Sequence, residues 1–362
     1  MKRPELQVAD TDARWESLLL ERIGSGGKLH VVCTPSVEGQ ARRVCAGFEI
    51  RHVWSVRREP AVTDFEWLEQ VGPADLVVGI GGGKALDAAK VVAHWGVAYD
   101  SVSALRRVLA EGKRLDGPVR STLVLAPSLA SSGSESSVGA IVSVGEIKTG
   151  LRGLSLSPDL VIHDHRLWQG LSDDVRRHYA FDVFAHLVET TLSLRRTADA
   201  TAAAAEGGPR LLRWYADASP ARGYGEIMKA AFDAGLCLSS SSTCLPHRIQ
   251  YVIGPKTDTR HVEGVWMLFP GWLDAIRRAA PARLQEALAI ISGQAMGEKE
   301  IDELCTVLHR CSAAGARRER FGWSAATARE MAAAVRGDLA ADPSYVDVGS
   351  IEQLLLAIFN HD

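Results

Sequence analysis

The chain has 362 residues, 46% of them hydrophobic, and a formal net charge of −3 at pH 7. That length suggests two domains with sizeable cores, and the near-neutral balance gives no electrostatic reason to expect nucleic acid or an anionic membrane as partner. No stretch approaches the roughly eighteen apolar residues of a membrane span, and MKRPELQVADTDARW lacks the apolar run of a signal peptide.

Cys33, Cys45, Cys237, Cys244, Cys305 and Cys311 show no C-x-x-C pairing. They read as reduced, mostly buried thiols of a cytoplasmic protein. The basic run from Arg317 to Arg320 is short and reads as a solvated helix face.

In chain order, the first residues read as an edge strand or a loose lead-in. LHVVCT is a short β-rich run, followed by Pro35 and a helical segment, VEGQARRVCAGF. IRHVWSV is the next strand. Strand, helix, strand at this spacing is the signature of a parallel sheet. FEWLEQVG reads as a helix.

The clearest local motif is ADLVVGIGGGKALDAAKVVAHW. Leu76 to Ile80 reads as a buried strand, Gly81, Gly82 and Gly83 as a turn, and Lys84 to Trp95 as a helix. Such glycines let backbone approach a ligand, and the helix N-terminus offers free N–H groups; a phosphate or pyrophosphate is the natural occupant. Lys84 would add a full positive charge. Asp87 reads either as an acid capping the helix or as a ligand contact. The motif is not G-x-G-x-x-G, so the ordinary Rossmann fingerprint is absent.

After a polar helix, SALRRVLAEGKRL, the strand Thr122 to Ala126 ends at Pro127. A hydroxyl-rich loop follows, with Ser128, Ser131, Ser132, Gly133 and Ser134. Loops at the carboxyl ends of parallel strands bind ligands, which makes Ser128, Ser131 and Ser132 candidate cofactor contacts. VGAIVSVG and the run to Lys148 look like a hairpin, and Lys148 joins the cofactor candidates. LSPDLVIHD is the last strand. The expected boundary falls after Asp164, giving an α/β domain over 1–164 and an all-helical domain over 165–362.

The second half is helical by period. Its long stretches are DDVRRHYAFDVFAHLVETTLS, TAAAAEGGPRLLRWYADA and GEIMKAAFDAGLCLSSSSTCLPHRIQYVI, and four shorter ones follow. Asp182 and His186 stand four apart, so one helix face can present both. His247 and His261 follow, fourteen apart. One carboxylate oxygen and three imidazole nitrogens suit zinc or ferrous iron. Taken singly, each of the four is more often an ordinary surface or core residue.

Together these motifs resemble the iron-containing (group III) alcohol dehydrogenase family, within the dehydroquinate synthase-like fold, over nearly the whole chain. GGGKALDAAK is similar to the family's G-G-G-S-x-x-D-x-A-K turn, and APSLASSGSES to its P-T-T-x-G-T-G-S-E loop. SPDLVIHDHRL resembles its P-x-x-x-x-x-D-P-x-L segment, and FDVFAHLVE its D-x-x-x-H-x-x-E helix. His247 and His261 fall where its last two metal histidines fall.

The resemblance implies an α/β N-terminal nucleotide-binding domain with a parallel sheet, plus an all-α C-terminal metal-binding domain. It implies one Fe²⁺ or Zn²⁺ on Asp182, His186, His247 and His261, with NAD or NADP as cofactor. The implied activity is that of a metal-dependent alcohol dehydrogenase, or aldehyde or ketone reductase, on a small-molecule or peptide substrate. Members commonly form homodimers.

The departures from the pattern point to a specialised biosynthetic member, for example a phosphonoacetaldehyde-type enzyme or a peptide-tailoring enzyme of the daptide type. Lys84 replaces the usual Ser, Leu129 and Ser131 replace a Thr and a Gly, His165 a Pro, and Val262 a Gly. Tyr251 stands where many members carry a His thought to aid proton transfer; a phenol does that well only with a lowered pKa, and a packing role is its alternative. Thr34 stands near the usual ribose-binding acid, which leaves NADP as open as NAD. Two other readings remain: a sugar-phosphate cyclase of the dehydroquinate synthase type, and a catalytically weakened metal- and nucleotide-binding relative.

Overall fold

The computed structural model describes residues 3–112, 114–118, 121–145, 147–217, 223–257, 259–311 and 325–359. The Arg317 to Arg320 run lies outside them.

The first part alternates strand and helix: β1 (Glu5–Val8), α1 (Asp12–Ile23), β2 (Lys28–Cys33), α2 (Glu38–Val44), β3 (Glu49–Ser55), α3 (Trp67–Val71), β4 (Leu76–Gly81), α4 (Gly83–Ala93), α5 (Val102–Glu111) and β5 (Thr122–Pro127). A hairpin follows, β6 (Gly139–Val144) with β7 (Ile147–Arg152), and then β8 (Leu160–His163). Six strands form one sheet in the order β1-β8-β5-β4-β2-β3, and β6 pairs with β7 separately. Every pairing in the large sheet is parallel.

The unbroken apolar run of β4 follows from burial on both faces. Side chains alternate along the strand. Val77 and Leu123 pack with Leu86, Val92 and Leu105 of α4 and α5. Val78 and Val124 pack on the other side with Trp15, Leu19 and Ala41 of α1 and α2. Helix starts are set by hydroxyl caps: Thr11, Ser101, Ser172 and Thr197 each accept from a backbone N–H in the first turn. Gly112, in left-handed conformation, stops α5.

The remainder is α6 (Asp173–Leu192), α7 (Ala198–Ala216), α8 (Tyr224–Ser240), α9 (Leu245–Thr257), α10 (His261–Ala279), α11 (Pro281–Ser292), α12 (Glu298–Cys311), α13 (Ala325–Ala334) and α14 (Val348–Phe359). From Ala180 to Leu192 every residue of α6 is buried, so this helix runs through the centre of the helical part. Among the described residues no helix is long and apolar enough to cross a membrane. The five cysteines with described side chains are unpaired and buried.

One expectation is corrected. The stretch from Gly225 to Ile253 is two helices, broken at Ser241–Cys244. The hydroxyls of Ser239 and Ser240 turn back to the carbonyls of Gly235 and Leu236, each at 2.9 Å. Pro246 then sits in the first turn of α9, where a missing N–H costs nothing. That break lets α9 change direction and carry His247 inward.

Two buried histidines set a pH dependence. His30 and His163 are 0% and 2% exposed. Burial pushes them down to about 4 and about 3. In the unfolded chain imidazole protonates near 6.5, so below that pH the unfolded state binds more protons than the native state. Stability is therefore full above about pH 6.5 and falls as the pH drops. The expected loss is about 1–2 kcal/mol per histidine between pH 6.5 and 5, read from urea midpoints. His163→Phe should flatten its share of that slope; an unchanged slope would show that His163 is not the titrating group.

Candidate metal centre and dinucleotide cleft

α6 sends three side chains from one face: Asp182, His186 and Glu189, at spacings of four and three. They are 1%, 4% and 0% exposed. α9 brings His247, 1% exposed, and α10 brings His261 as its first residue. One ligand atom each from Asp182, His186 and His247 lie within 4.8 Å of one another. His261 completes the group, with Nε2 3.7 Å from Asp182 Oδ1 and its side chain 32% exposed. The imidazoles of His186 and His247 stack at 4.3 Å between centroids.

Glu189 orients His247. Its Oε1 lies 2.6 Å from His247 Nδ1, and its Oε2 accepts from the Cys244 backbone N–H at 2.7 Å. A carboxylate on Nδ1 fixes the tautomer and leaves Nε2 for a metal. His247 Nε2 lies 3.3 Å from Asp182 Oδ1. His186 Nδ1 is buried with no hydrogen-bond partner among the described residues. One carboxylate, three imidazoles and a carboxylate behind one of them form a donor set that fits a divalent transition ion.

The charges reflect this crowding. Burial raises the pKa of Asp182, but the imidazoles, His186 foremost, win and hold its carboxyl well below the usual range. Burial pushes His186 and His261 down to about 4. Burial also lowers His247, yet Glu189 and Asp182 outweigh it and push this ring up to about 9.

The sheet supplies the other wall. Gly81, Gly82 and Gly83 turn from β4 into α4. Gly81 has φ +149°, and a Cβ there would lie 1.8 Å from Thr34 Oγ1. Thr34 Oγ1 accepts from Gly82 N at 3.0 Å, so its hydroxyl holds the glycine turn. Ser128 N donates to Gly81 O at 2.9 Å, and a Cβ on Gly83 would lie 2.6 Å from Ser132 Oγ. The carboxyl ends of β2, β4 and β5 thus gather most of the expected cofactor residues at one point. Lys84 is exposed there. Lys148 pairs with Glu59 at 3.1 Å.

Three of the candidates make contacts that the sequence did not specify. Ser131 donates to Asp182 Oδ2 at 2.9 Å, joining the hydroxyl loop to the metal candidates. Asp87 does not cap its helix; it accepts from Ser134 Oγ and, at 2.9 Å, from Ile141 N, tying loop to hairpin. Burial pushes the Tyr251 phenol up to about 12, away from the range proton transfer needs, and its ring stacks on His261 at 6.1 Å. Glu189 and Lys90 are buried side chains bonded into this region that site reasoning passed over. The signal for Glu189 was its spacing of three from His186, inside the quoted D-x-x-x-H-x-x-E pattern.

Family comparison agrees with this geometry. A model described as "Iron-containing alcohol dehydrogenase" matches residues 17–165, and one described as "Fe-containing alcohol dehydrogenase family, C-terminal" matches 180–313. An alcohol dehydrogenase of Thermococcus barophilus is 28% identical over 47% of this chain and 46% of its own length. Long-chain-alcohol dehydrogenase 1 of Geobacillus thermodenitrificans is 26% identical over 64% of this chain and 59% of its own. The chain thus spans about half the length of these curated relatives. The crystal structure of an iron-containing alcohol dehydrogenase from Thermotoga maritima superposes with a TM-score of 0.79 at 19% identity, covering 99% of this chain and 98% of that one. At that identity the likeness is one of fold.

Proposed function

We propose that this chain, which belongs to the iron-containing alcohol dehydrogenase family, is a metal-dependent, NAD(P)-linked oxidoreductase that interconverts an alcohol and its carbonyl compound. The observation that carries this reading is the quartet of Asp182, His186, His247 and His261, with Glu189 behind His247, bonded through Ser131 to the loop that abuts the glycine turn. We take residues 1–164 as the dinucleotide domain and 165–362 as the metal domain, because β8 ends at His163 and α6 begins at Asp173.

Asp182, His186, His247 and His261 would hold the ion, Fe²⁺ or Zn²⁺. When bound, it supplies Lewis-acid polarisation of the alcohol or carbonyl oxygen. The dinucleotide, when bound, supplies the hydride chemistry. The chain's own residues orient and enclose. The free N–H groups of α4 and the charge of Lys84 suit a pyrophosphate, and Ser131 holds Asp182 in place. The half-exposed His261 marks the side from which a substrate enters.

The substrate we infer is an alcohol or carbonyl compound, small or peptide-borne, that meets the metal beside Tyr251 and His261. No acidic side chain follows β2 directly, which favours NADPH at least equally with NADH. The buried, unpaired thiols support a reducing, cytoplasmic setting.

The test combines metal analysis with nucleotide titration. About one iron or zinc per chain, quenching or enhancement of NADH or NADPH fluorescence, and net nicotinamide turnover with an alcohol or aldehyde are expected. A sugar-phosphate cyclase would show no net turnover. Absence of metal after growth with added iron and zinc would overturn the quartet.

A further inference from the structure

A buried carboxylate far along the chain holds two of the ligand-bearing helices together. Asp342 is 1% exposed and lies in the segment between α13 and α14. Its Oδ2 accepts from the Leu245 backbone N–H at 2.8 Å and from Trp272 Nε1 at 2.8 Å. Its Oδ1 accepts from Ser344 N at 2.7 Å and Ser344 Oγ at 2.6 Å. Four donors thus converge on one carboxylate, two at each oxygen.

The two Oδ2 donors come from different helices. Leu245 opens α9, two residues before His247. Trp272 is 0% exposed and belongs to α10, which opens with His261. The neighbouring amide, Cys244 N, is held by Glu189, the same carboxylate that fixes His247 Nδ1. Adjacent amides at the start of α9 are thus pinned by two carboxylates, one on α6 and one from beyond α13. A helix start carries free N–H groups that favour such anions. Sliding α9 by a fraction of its rise would break both and displace His247 from Asp182.

We propose that Asp342 is a positioning residue for the metal centre: by bonding Leu245 and Trp272 together it sets the placement of α9 against α10, and so of His247 against His261. This rests on the metal-centre reading above. It adds a residue some eighty positions beyond the last ligand, outside every motif in the sequence.

The test uses the full chain with Asp342→Asn, Asp342→Ala and Trp272→Phe. Trp272→Phe keeps the ring and removes one donor. Two readouts separate positioning from bulk stability. The first is Zn²⁺ and Fe²⁺ affinity by chelator competition. The second, on metal-free protein, is the ¹⁵N-histidine spectrum, in which the short Nδ1–Glu189 bond of His247 gives a downfield ring proton.

Asp342→Asn is expected to weaken metal binding about 10–100-fold and to move the His247 resonance, with Trp272→Phe shifting both less. Unchanged affinity and resonance beside a lowered melting temperature would overturn the proposal and leave Asp342 a structural cap. If wild type binds no metal, the metal reading fails by itself; the metal-free spectrum still decides whether Asp342 positions His247.

Discussion

Replacing Asp182 with alanine is expected to remove the metal and at least a thousandfold of the activity. Asp182 is the only carboxylate of the quartet and the point at which its contacts meet. It lies 3.3 Å from His247 Nε2, 3.7 Å from His261 Nε2 and 2.9 Å from Ser131 Oγ. Three imidazoles without the anion leave a divalent ion with no charge compensation in a buried site, too weakly held to stay on the chain. Lewis-acid polarisation is worth several kcal/mol of transition-state stabilisation, and each 1.4 kcal/mol is about tenfold in rate.

Asp182→Asn makes the sharper comparison, since it keeps the shape and removes the charge. Both variants should fold, because they delete a buried charge without opening a large cavity, and a circular dichroism melt checks this. Metal is counted per chain and turnover is followed at 340 nm. One full equivalent of tightly held metal in Asp182→Ala would sink the assignment of this residue as a ligand.

Much of this site was legible because helices and βα turns have fixed periods. Asp182 and His186 four apart must share a face, and glycines between an apolar strand and a helix must form a tight turn. What the sequence left open depends on contacts between distant segments. Nothing local to APSLASSGSES says that Ser131 bonds Asp182, fifty-one positions on. Asp87 reads in sequence as a first-turn acid, but α4 begins at Gly83, which puts Asp87 past that turn, and its partners, Ser134 and Ile141, come from the next loop and hairpin. The break at Ser241–Cys244 was missed because periodicity runs through it while serine back-bonding ends the helix. Tyr251 was ambiguous because a phenol's acidity depends on burial, which no spacing reveals.

Lys90 shows the same dependence at its largest energetic scale. Its side chain is 0% exposed, and its ammonium donates to Ser137 O at 2.9 Å, Ser137 Oγ at 3.0 Å and Gly139 O at 2.6 Å. Asp87 stands 3.9 Å away. Burial pushes the ammonium down to about 8, which leaves it charged at neutral pH. One cation thus joins α4, the hydroxyl loop and the hairpin, the three segments around the glycine turn.

Lys90→Met keeps the length and removes the charge. It leaves two buried carbonyls short of a donor and the Asp87 carboxylate without its cation, and breaking a buried pair from one side costs about 3–5 kcal/mol. At about 2–4 °C per kcal/mol for a domain of this size, the melting temperature should fall by roughly ten degrees. Because Ser131 belongs to the same loop, metal affinity should fall with it, whereas exposed Lys84→Met should leave the melt unchanged and affect nucleotide binding alone. A Lys90→Met protein that melts like wild type would show that the ammonium is replaceable by packing, and that the loop holds Asp182 without it.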